Sequence, residues 1–192
     1  VPAQVIEIVR GGRGLVLMVG ERGIGRTEVM ASILREVAAD RDRYVIVLDD
    51  AIDCEAPPPG SLVARRRVGE HVTDYVSGLR TAVREDPDVI VIGSVGEAAA
   101  FDMAMRAAES GRLVVAWLDS TSVVAAIERI LCFYPEYDVA RVRATLASVL
   151  RAISVRMVMP GSEQPVVPAT ELLLVSDPVR DGLVASLARP GG

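Results

Sequence analysis

Short apolar runs alternate along the chain with longer segments in which apolar residues recur every three or four positions. The runs have the length and the β-branched content of buried strands, and we place them at residues 15–19, 44–48, 89–92, 113–118 and 171–175. The periodic segments predict helices at residues 26–38, 70–84, 97–110, 122–132 and 139–153, with a leading helix at 1–10 and a closing helix at 176–188. Residues 57–60 and 160–168, both rich in proline, are predicted loops.

Strands that alternate with helices predict a three-layer α/β fold with a mainly parallel central sheet. The whole chain, residues 1–192, is expected to form one such domain, since 51% of its residues are hydrophobic. The longest apolar run, residues 113–118, is too short to cross a bilayer, so no transmembrane segment is expected. The chain begins at Val1 without a methionine, and we expect an N-terminal part to be missing.

Charge and cysteine content narrow the classes of function. The net charge is −5, and basic residues cluster only at Arg65, Arg66 and Arg67, so the chain lacks the basic stripe of a nucleic-acid-binding protein. Two distant cysteines and one histidine do not form a zinc motif. A reduced, cytoplasmic setting fits this composition best.

The most specific motif lies between the first predicted strand and the helix that follows it. Residues 20–28, G-E-R-G-I-G-R-T-E, have the frame G-x-x-x-x-G-K-[ST] of a phosphate-binding P-loop, with Arg26 at the lysine position. Backbone amides of such a loop form an anion nest at a helix start, and the Thr27 hydroxyl is available as a ligand for Mg²⁺. The predicted phosphate-binding residues are Gly20, Gly23, Ile24, Gly25, Arg26, Thr27 and Glu28.

Arg26 alone does not show that the loop is inactive. All 21 basic residues are arginines and the chain has no lysine, so Arg26 is consistent with a chain-wide loss of lysine. A guanidinium still attracts phosphate, but its planar fork differs in reach and geometry from a lysine ammonium.

Further stretches resemble the motor ATPases of bacterial type II secretion and type IV pilus systems, the PilT-like family. They are L-R-T-A-V-R-E-D-P-D-V-I at residues 79–90, A-A-E-S-G-R-L at 107–113, I-E-R-I at 127–130 and F-Y-P at 133–135. The resemblance implies a RecA-like P-loop domain that uses ATP or ADP with Mg²⁺. It also implies a hexamer that works with a secretion or pilus apparatus, in the cytoplasm or at the inner face of the membrane through its partners.

The same resemblance shows changes at the positions that carry the family's chemistry. Asp49, Asp50 and Asp53 stand in the family's acidic box, where Asp49 replaces a glutamate and Asp50 is a candidate Mg²⁺ ligand. Ser94 replaces the catalytic glutamate, and a serine is too weak a base to activate water near pH 7. Asp119 and Arg112 replace two histidines that act at the γ-phosphate.

We therefore predict a degenerate family member that binds nucleotide phosphates weakly and hydrolyses ATP poorly or not at all. Two alternatives stay open at this point. One is an active motor ATPase in which Arg26, Asp49 and Glu97 take over the usual roles. The other is a structural scaffold that binds no nucleotide.

Overall fold

The structure, a computed structural model, describes residues 1–21, 23, 25–39, 42–50, 62–159 and 167–185. The helices are α1 (Ala3–Gly11), α2 (Arg26–Ala38), α3 (Tyr75–Arg84), α4 (Ala98–Glu109), α5 (Val123–Leu131), α6 (Glu136–Val149) and α7 (Asp177–Ala185). The strands are β1 (Gly14–Gly20), β2 (Tyr44–Asp49), β3 (Leu62–Arg67), β4 (Val89–Ile92), β5 (Leu113–Asp119), β6 (Leu150–Met159) and β7 (Val167–Leu174).

The strands form one seven-stranded sheet in the order β3-β2-β4-β5-β1-β6-β7. Every neighbouring pair is parallel except β6 and β7, which are antiparallel. The predicted mainly parallel α/β sheet is thus confirmed. The carboxyl ends of β1, β2, β4 and β5 meet at one edge, where parallel α/β sheets place their ligands.

Helices cover both faces of the sheet, and two apolar cores result. The larger core lies between the sheet and α3, α4, α5 and α6, and the smaller one lies against α1 and α2. Residues of β1 alternate between them: Leu15, Leu17 and Val19 belong to the larger core, whereas Val16 and Met18 belong to the smaller one. Burial on both faces explains why these strands read as continuous apolar runs.

Two strands were not predicted. Residues 150–153, expected to end a helix, begin strand β6, because the chain leaves α6 at Val149 and pairs with β1. Arg65, Arg66 and Arg67, which belong to no predicted element, lie in the edge strand β3. An edge strand tolerates charged side chains because its open side faces solvent.

The other predicted ends of helices and loops differ from the observed ends by a few residues. The helix expected from residue 70 begins at Tyr75, because Asp74 caps it by accepting a hydrogen bond from the Ser77 amide at 2.7 Å. Of the predicted loop 160–168, residues 167 and 168 pair in β7. The loop at 57–60 and residues 186–188 of the closing helix lie outside the described residues. No helix in the described ranges combines the length and apolar content that a bilayer span requires.

Candidate nucleotide-binding site

A cavity of about 530 Å³ opens at the edge of the sheet where β1, β2, β4 and β5 end. Most of the residues singled out from the sequence face it. It is lined by Glu21, Gly23, Gly25, Arg26, Thr27, Glu28, Asp50, Tyr75, Ser94, Trp117 and Asp119. The fold thus brings the loop after β1 together with the ends of β2, β4 and β5.

In the described part of the loop after β1, two glycines have positive φ angles. Gly23 and Gly25 have φ angles of +87° and +85°, a region that side chains other than glycine rarely adopt. Gly25 directly precedes α2, and no side chain caps the start of that helix. The first amides of α2 and its positive dipole end are therefore available to an anion in the cavity. Gly20 ends β1 beneath the loop, Glu28 lies in the first turn of α2, and Ile24 lies outside the described residues.

Arg26 points toward the acidic strand ends. Its Nη2 donates hydrogen bonds to Asp50 Oδ1 at 2.6 Å and to Asp49 Oδ1 at 3.0 Å, and its Nη1 donates to the Gly93 carbonyl at 3.2 Å. We call these four residues the Arg26 clamp. Arg26 therefore joins α2 to the ends of β2 and β4.

Charge stabilises the Arg26 clamp. Burial disfavours the Arg26 cation, but the hydrogen bond to Asp50 and the charges of Asp49 and Asp50 raise the pKa of Arg26 above its ordinary value. The Asp49 carboxyl and then the Arg26 guanidinium lower the pKa of Asp50 to about 2, so Asp50 is ionised at neutral pH. Asp49 is only 4% exposed, and an unpaired carboxylate at that depth would be costly.

These contacts bear on the predicted Mg²⁺ ligands. Thr27 and Asp50 do line the same cavity, but the Asp50 carboxylate is engaged by a guanidinium. Asp49, its neighbour, is bound to the same guanidinium. Within the described ranges no cluster of three or more His, Cys, Asp or Glu side chains could hold a metal ion. The residues present therefore do not fit a Mg²⁺ site that uses Asp50, and Asp53 lies outside the described residues.

Ser94 and Asp119 complete the wall opposite the loop. Ser94 follows β4 and Asp119 ends β5. The Asp119 carboxylate accepts a hydrogen bond from Nε1 of Trp117 at 3.0 Å, which holds it against its own strand. Ser94 therefore brings a hydroxyl, with no carboxylate, to the position where the resemblance places the catalytic base.

Two further candidates lie elsewhere. Glu97 precedes α4 and faces a separate surface depression that includes Asp74 and Arg80. Arg112 precedes β5 at the opposite edge of the sheet, where it donates a hydrogen bond to Asp86 Oδ1 at 2.5 Å. The structure brings neither residue into the cavity. Arg112 lies at the amino end of β5, and Glu97 follows β4 at the carboxyl edge but faces the other depression.

Two residues near the loop were missed. Tyr75 lines the cavity, and its burial, followed by the charges of Asp49 and Asp50, raises its pKa. Arg156 on β6 is paired in register with Gly20, and its guanidinium carbon lies 3.5 Å from the position that a Cβ on Gly25 would take. The Nε of Arg156 is buried without a hydrogen-bond partner in the described part of the chain. The only signal for Arg156 was strand β6, which was not predicted, since residues 150–153 were assigned to a helix and Arg156 to no element.

Comparisons with known proteins agree with this geometry. The profile of a family described as "Type II/IV secretion system protein" matches residues 2–174. The chain is 30% identical over 185 residues to the uncharacterized protein YggR of Escherichia coli K12, covering 94% of this chain and 57% of that protein. It is 31% identical over 141 residues to the type IV pilus retraction ATPase PilT of Pseudomonas aeruginosa, covering 73% of this chain and 41% of PilT.

Solved structures show the same fold. A crystal structure of the pilus retraction motor PilT with bound ADP superposes with a TM-score of 0.90 at 30% identity, covering 97% of this chain and 55% of that one. The ATPase DotB of Legionella pneumophila gives a TM-score of 0.87 at 24% identity, covering 96% of this chain and 52% of DotB. The chain therefore spans about half the length of the relatives that it matches.

Proposed function

The chain belongs to the type II/IV secretion system protein family, which includes the pilus retraction motor ATPases, and from this premise we propose that it is a degenerate motor domain. It binds the phosphates of ATP or ADP weakly and hydrolyses ATP poorly or not at all. The observation that carries this proposal is the Arg26 clamp, in which the cation at the lysine position of the P-loop frame binds the acidic strand ends.

Phosphate binding is supported by the backbone of the loop. An anion nest depends on amides at a helix start, and the glycines with positive φ are still present at residues 23 and 25. The similar PilT structure contains ADP. Weak binding follows because the Arg26 side chain makes three hydrogen bonds within the protein and offers less of its charge to a ligand.

Loss of hydrolysis is supported by the opposite wall of the cavity. Removing a general base typically costs about 10²- to 10⁴-fold in rate, and Ser94 supplies none. Glu97 faces a different depression, which argues against the active alternative that uses Arg26, Asp49 and Glu97. Asp119 adds negative charge where phosphates would lie, and Coulomb repulsion opposes their approach.

We further propose that the domain acts through assembly. Residues 1–192 would form one RecA-like unit of an oligomer, a hexamer by family resemblance, that works with a secretion or type IV pilus apparatus and not with nucleic acid. Its place would be the cytoplasm, at the inner face of the membrane through partners. A nucleotide-bound subunit that does not turn over ATP would serve such an assembly as a regulatory or structural position.

A phosphate-release assay with Mg-ATP tests the enzymatic part of the proposal. We expect the wild type to release no more phosphate than either of two variants. Thr27→Ala removes the hydroxyl in the cavity. Thr81→Ala is the control, because Thr81 lies on α3 outside the cavity. Turnover on the order of 1 per second that Thr27→Ala abolishes and Thr81→Ala leaves intact would show an active ATPase instead.

One observation favours a scaffold that binds no nucleotide. Arg26 already pairs with both acids at the strand ends, so these acids do not need a ligand as a partner. Calorimetric titration with millimolar ADP separates the two functions. A binding heat that Thr81→Ala retains supports nucleotide binding, and its absence supports the scaffold.

A further inference from the structure

We infer that Arg26 takes the place of a divalent cation in this cavity, so that the site binds the phosphates of ADP or ATP with no requirement for Mg²⁺. This inference rests on the proposed nucleotide binding, and it adds the identity of the cation that lies between the acids and the phosphates. It departs from the expectation that Thr27 and Asp50 hold Mg²⁺.

The first support is the set of groups that Arg26 contacts. The ends of β2 and β4 offer two carboxylates and one carbonyl, which are oxygen ligands of the kind that Mg²⁺ prefers. A single guanidinium binds all three of these groups. A metal ion could take the place of Arg26 on the Oδ1 atoms of Asp49 and Asp50 and on the Gly93 carbonyl only by displacing it.

Displacement of Arg26 would be unfavourable. The guanidinium is attached to the chain at the start of α2, so it binds the acids without the translational entropy cost that a free ion pays. Asp49 is buried, and it would lose a charged hydrogen bond while the metal shed part of its water shell. Arg26, once displaced, would lose its hydrogen bonds to both acids. Its cation would stay at the amino end of α2, where the helix dipole is unfavourable for positive charge.

The second support is the set of donors that Arg26 still offers. A guanidinium has five N–H donors, and the three hydrogen bonds of the Arg26 clamp leave Nε and one proton of Nη1. The side chain lines the cavity and is 23% exposed. Arg26 can therefore bridge the acidic strand ends and a phosphate oxygen, which is the position that a metal ion occupies between protein and nucleotide.

Calorimetric titration of ADP into the protein tests the inference, once with excess Mg²⁺ and once with EDTA. We expect dissociation constants that agree within about twofold. Binding that weakens more than about tenfold in EDTA would overturn the inference while leaving nucleotide binding in place. No binding in either buffer would overturn the proposed nucleotide binding and this inference together.

Matched variants locate the effect at Arg26. Arg26→Lys replaces the fork by a point charge that cannot hold both carboxylates and a phosphate in the same geometry, so its ADP affinity is expected to rise with Mg²⁺ by about fivefold or more. Arg112→Lys alters a comparable ion pair at the opposite edge of the sheet and is expected to leave ADP binding unchanged in both buffers. A Mg²⁺ response that is equal in the wild type and Arg26→Lys would contradict the role assigned to Arg26.

Discussion

At the scale of single residues, the close approach of Gly93 and Asp49 determines where the Arg26 side chain goes. A Cβ on Gly93 would lie 2.2 Å from Asp49 Oδ1 and 2.3 Å from its Cγ, which is far inside van der Waals contact. The absent side chain at residue 93 therefore lets the Asp49 carboxylate turn toward Arg26, while the Gly93 carbonyl binds the same guanidinium.

The substitution Gly93→Ala should consequently disrupt the Arg26 clamp. We expect the free energy of unfolding, measured by urea denaturation, to fall by about 1–3 kcal/mol, which is typical of overpacking. Gly96→Ala is the matched control, because a Cβ at Gly96 would meet only Ser94 Oγ, at 3.8 Å. Equal effects of the two substitutions would mean that the contact between Gly93 and Asp49 is unimportant.

The low pKa of Asp50 predicts a pH dependence of stability. Because its folded pKa of about 2 lies below the ordinary aspartate value, Asp50 stabilises the fold above pH about 4, and this contribution is lost as the pH falls through about 2. Asp50→Asn should therefore be less stable than the wild type at pH 7, and the difference should shrink near pH 2.

Thermal unfolding of both proteins across this range measures the effect. The neutral-pH difference should also shrink at high salt, because Asp50 is more than half exposed. A difference in melting temperature that stays constant from pH 7 to pH 2 would show that the Asp50 charge is not the cause.

At the scale of elements, strand β6 places Arg156 beside the phosphate-binding loop. Arg156 makes no ion pair with any residue in the described ranges, and its neighbours are Gly25 and the amino end of α2. A guanidinium close to a positive helix end is favourable once an anion binds between them.

We therefore expect Arg156→Gln to weaken ADP binding about tenfold, which corresponds to about 1.4 kcal/mol. Arg151→Gln on the same strand is the control, since Arg151 lies near Gly14 at the other end of β1. Calorimetric titration of both variants checks this. Unchanged affinity in Arg156→Gln would remove Arg156 from the site.

The elements also show how far the sequence could predict the structure. Strands β1, β2, β4 and β5 are buried on both faces and read as apolar runs, so these four strands and the carboxyl edge where they end were predicted correctly. Strand β3 ends in three arginines and β6 contains two. Because these charges interrupt the apolar pattern, neither strand was predicted, and the position of Arg156 was not predicted either.

The contacts of Arg26 could not be predicted for a different reason. Arg26 follows β1, but its partners end β2 and β4, and these strands are brought near it only by the sheet order. The spacing of residues along the sequence does not show which strands become neighbours in the sheet. Arg112 was connected with the γ-phosphate by the resemblance alone, and its position before β5 puts it at the far edge of the sheet.

At the scale of the whole molecule, the chain has the fold of its family, and we propose that the groups that carry the family's chemistry are changed. The proposed nucleotide binding rests on the positive φ angles of Gly23 and Gly25 and on the fold that the chain shares with PilT, at a TM-score of 0.90. Ser94, the Arg26 clamp and the position of Glu97 disfavour hydrolysis. Binding and hydrolysis should therefore be separable in this domain.

A single-turnover experiment, with protein in excess over ATP labelled at the γ-phosphate, measures both properties in one sample. We predict that equilibrium dialysis shows weak binding of ATP and that the ATP stays intact over many minutes. Release of labelled phosphate at about 1 per second would contradict this prediction and identify the domain as an active motor ATPase.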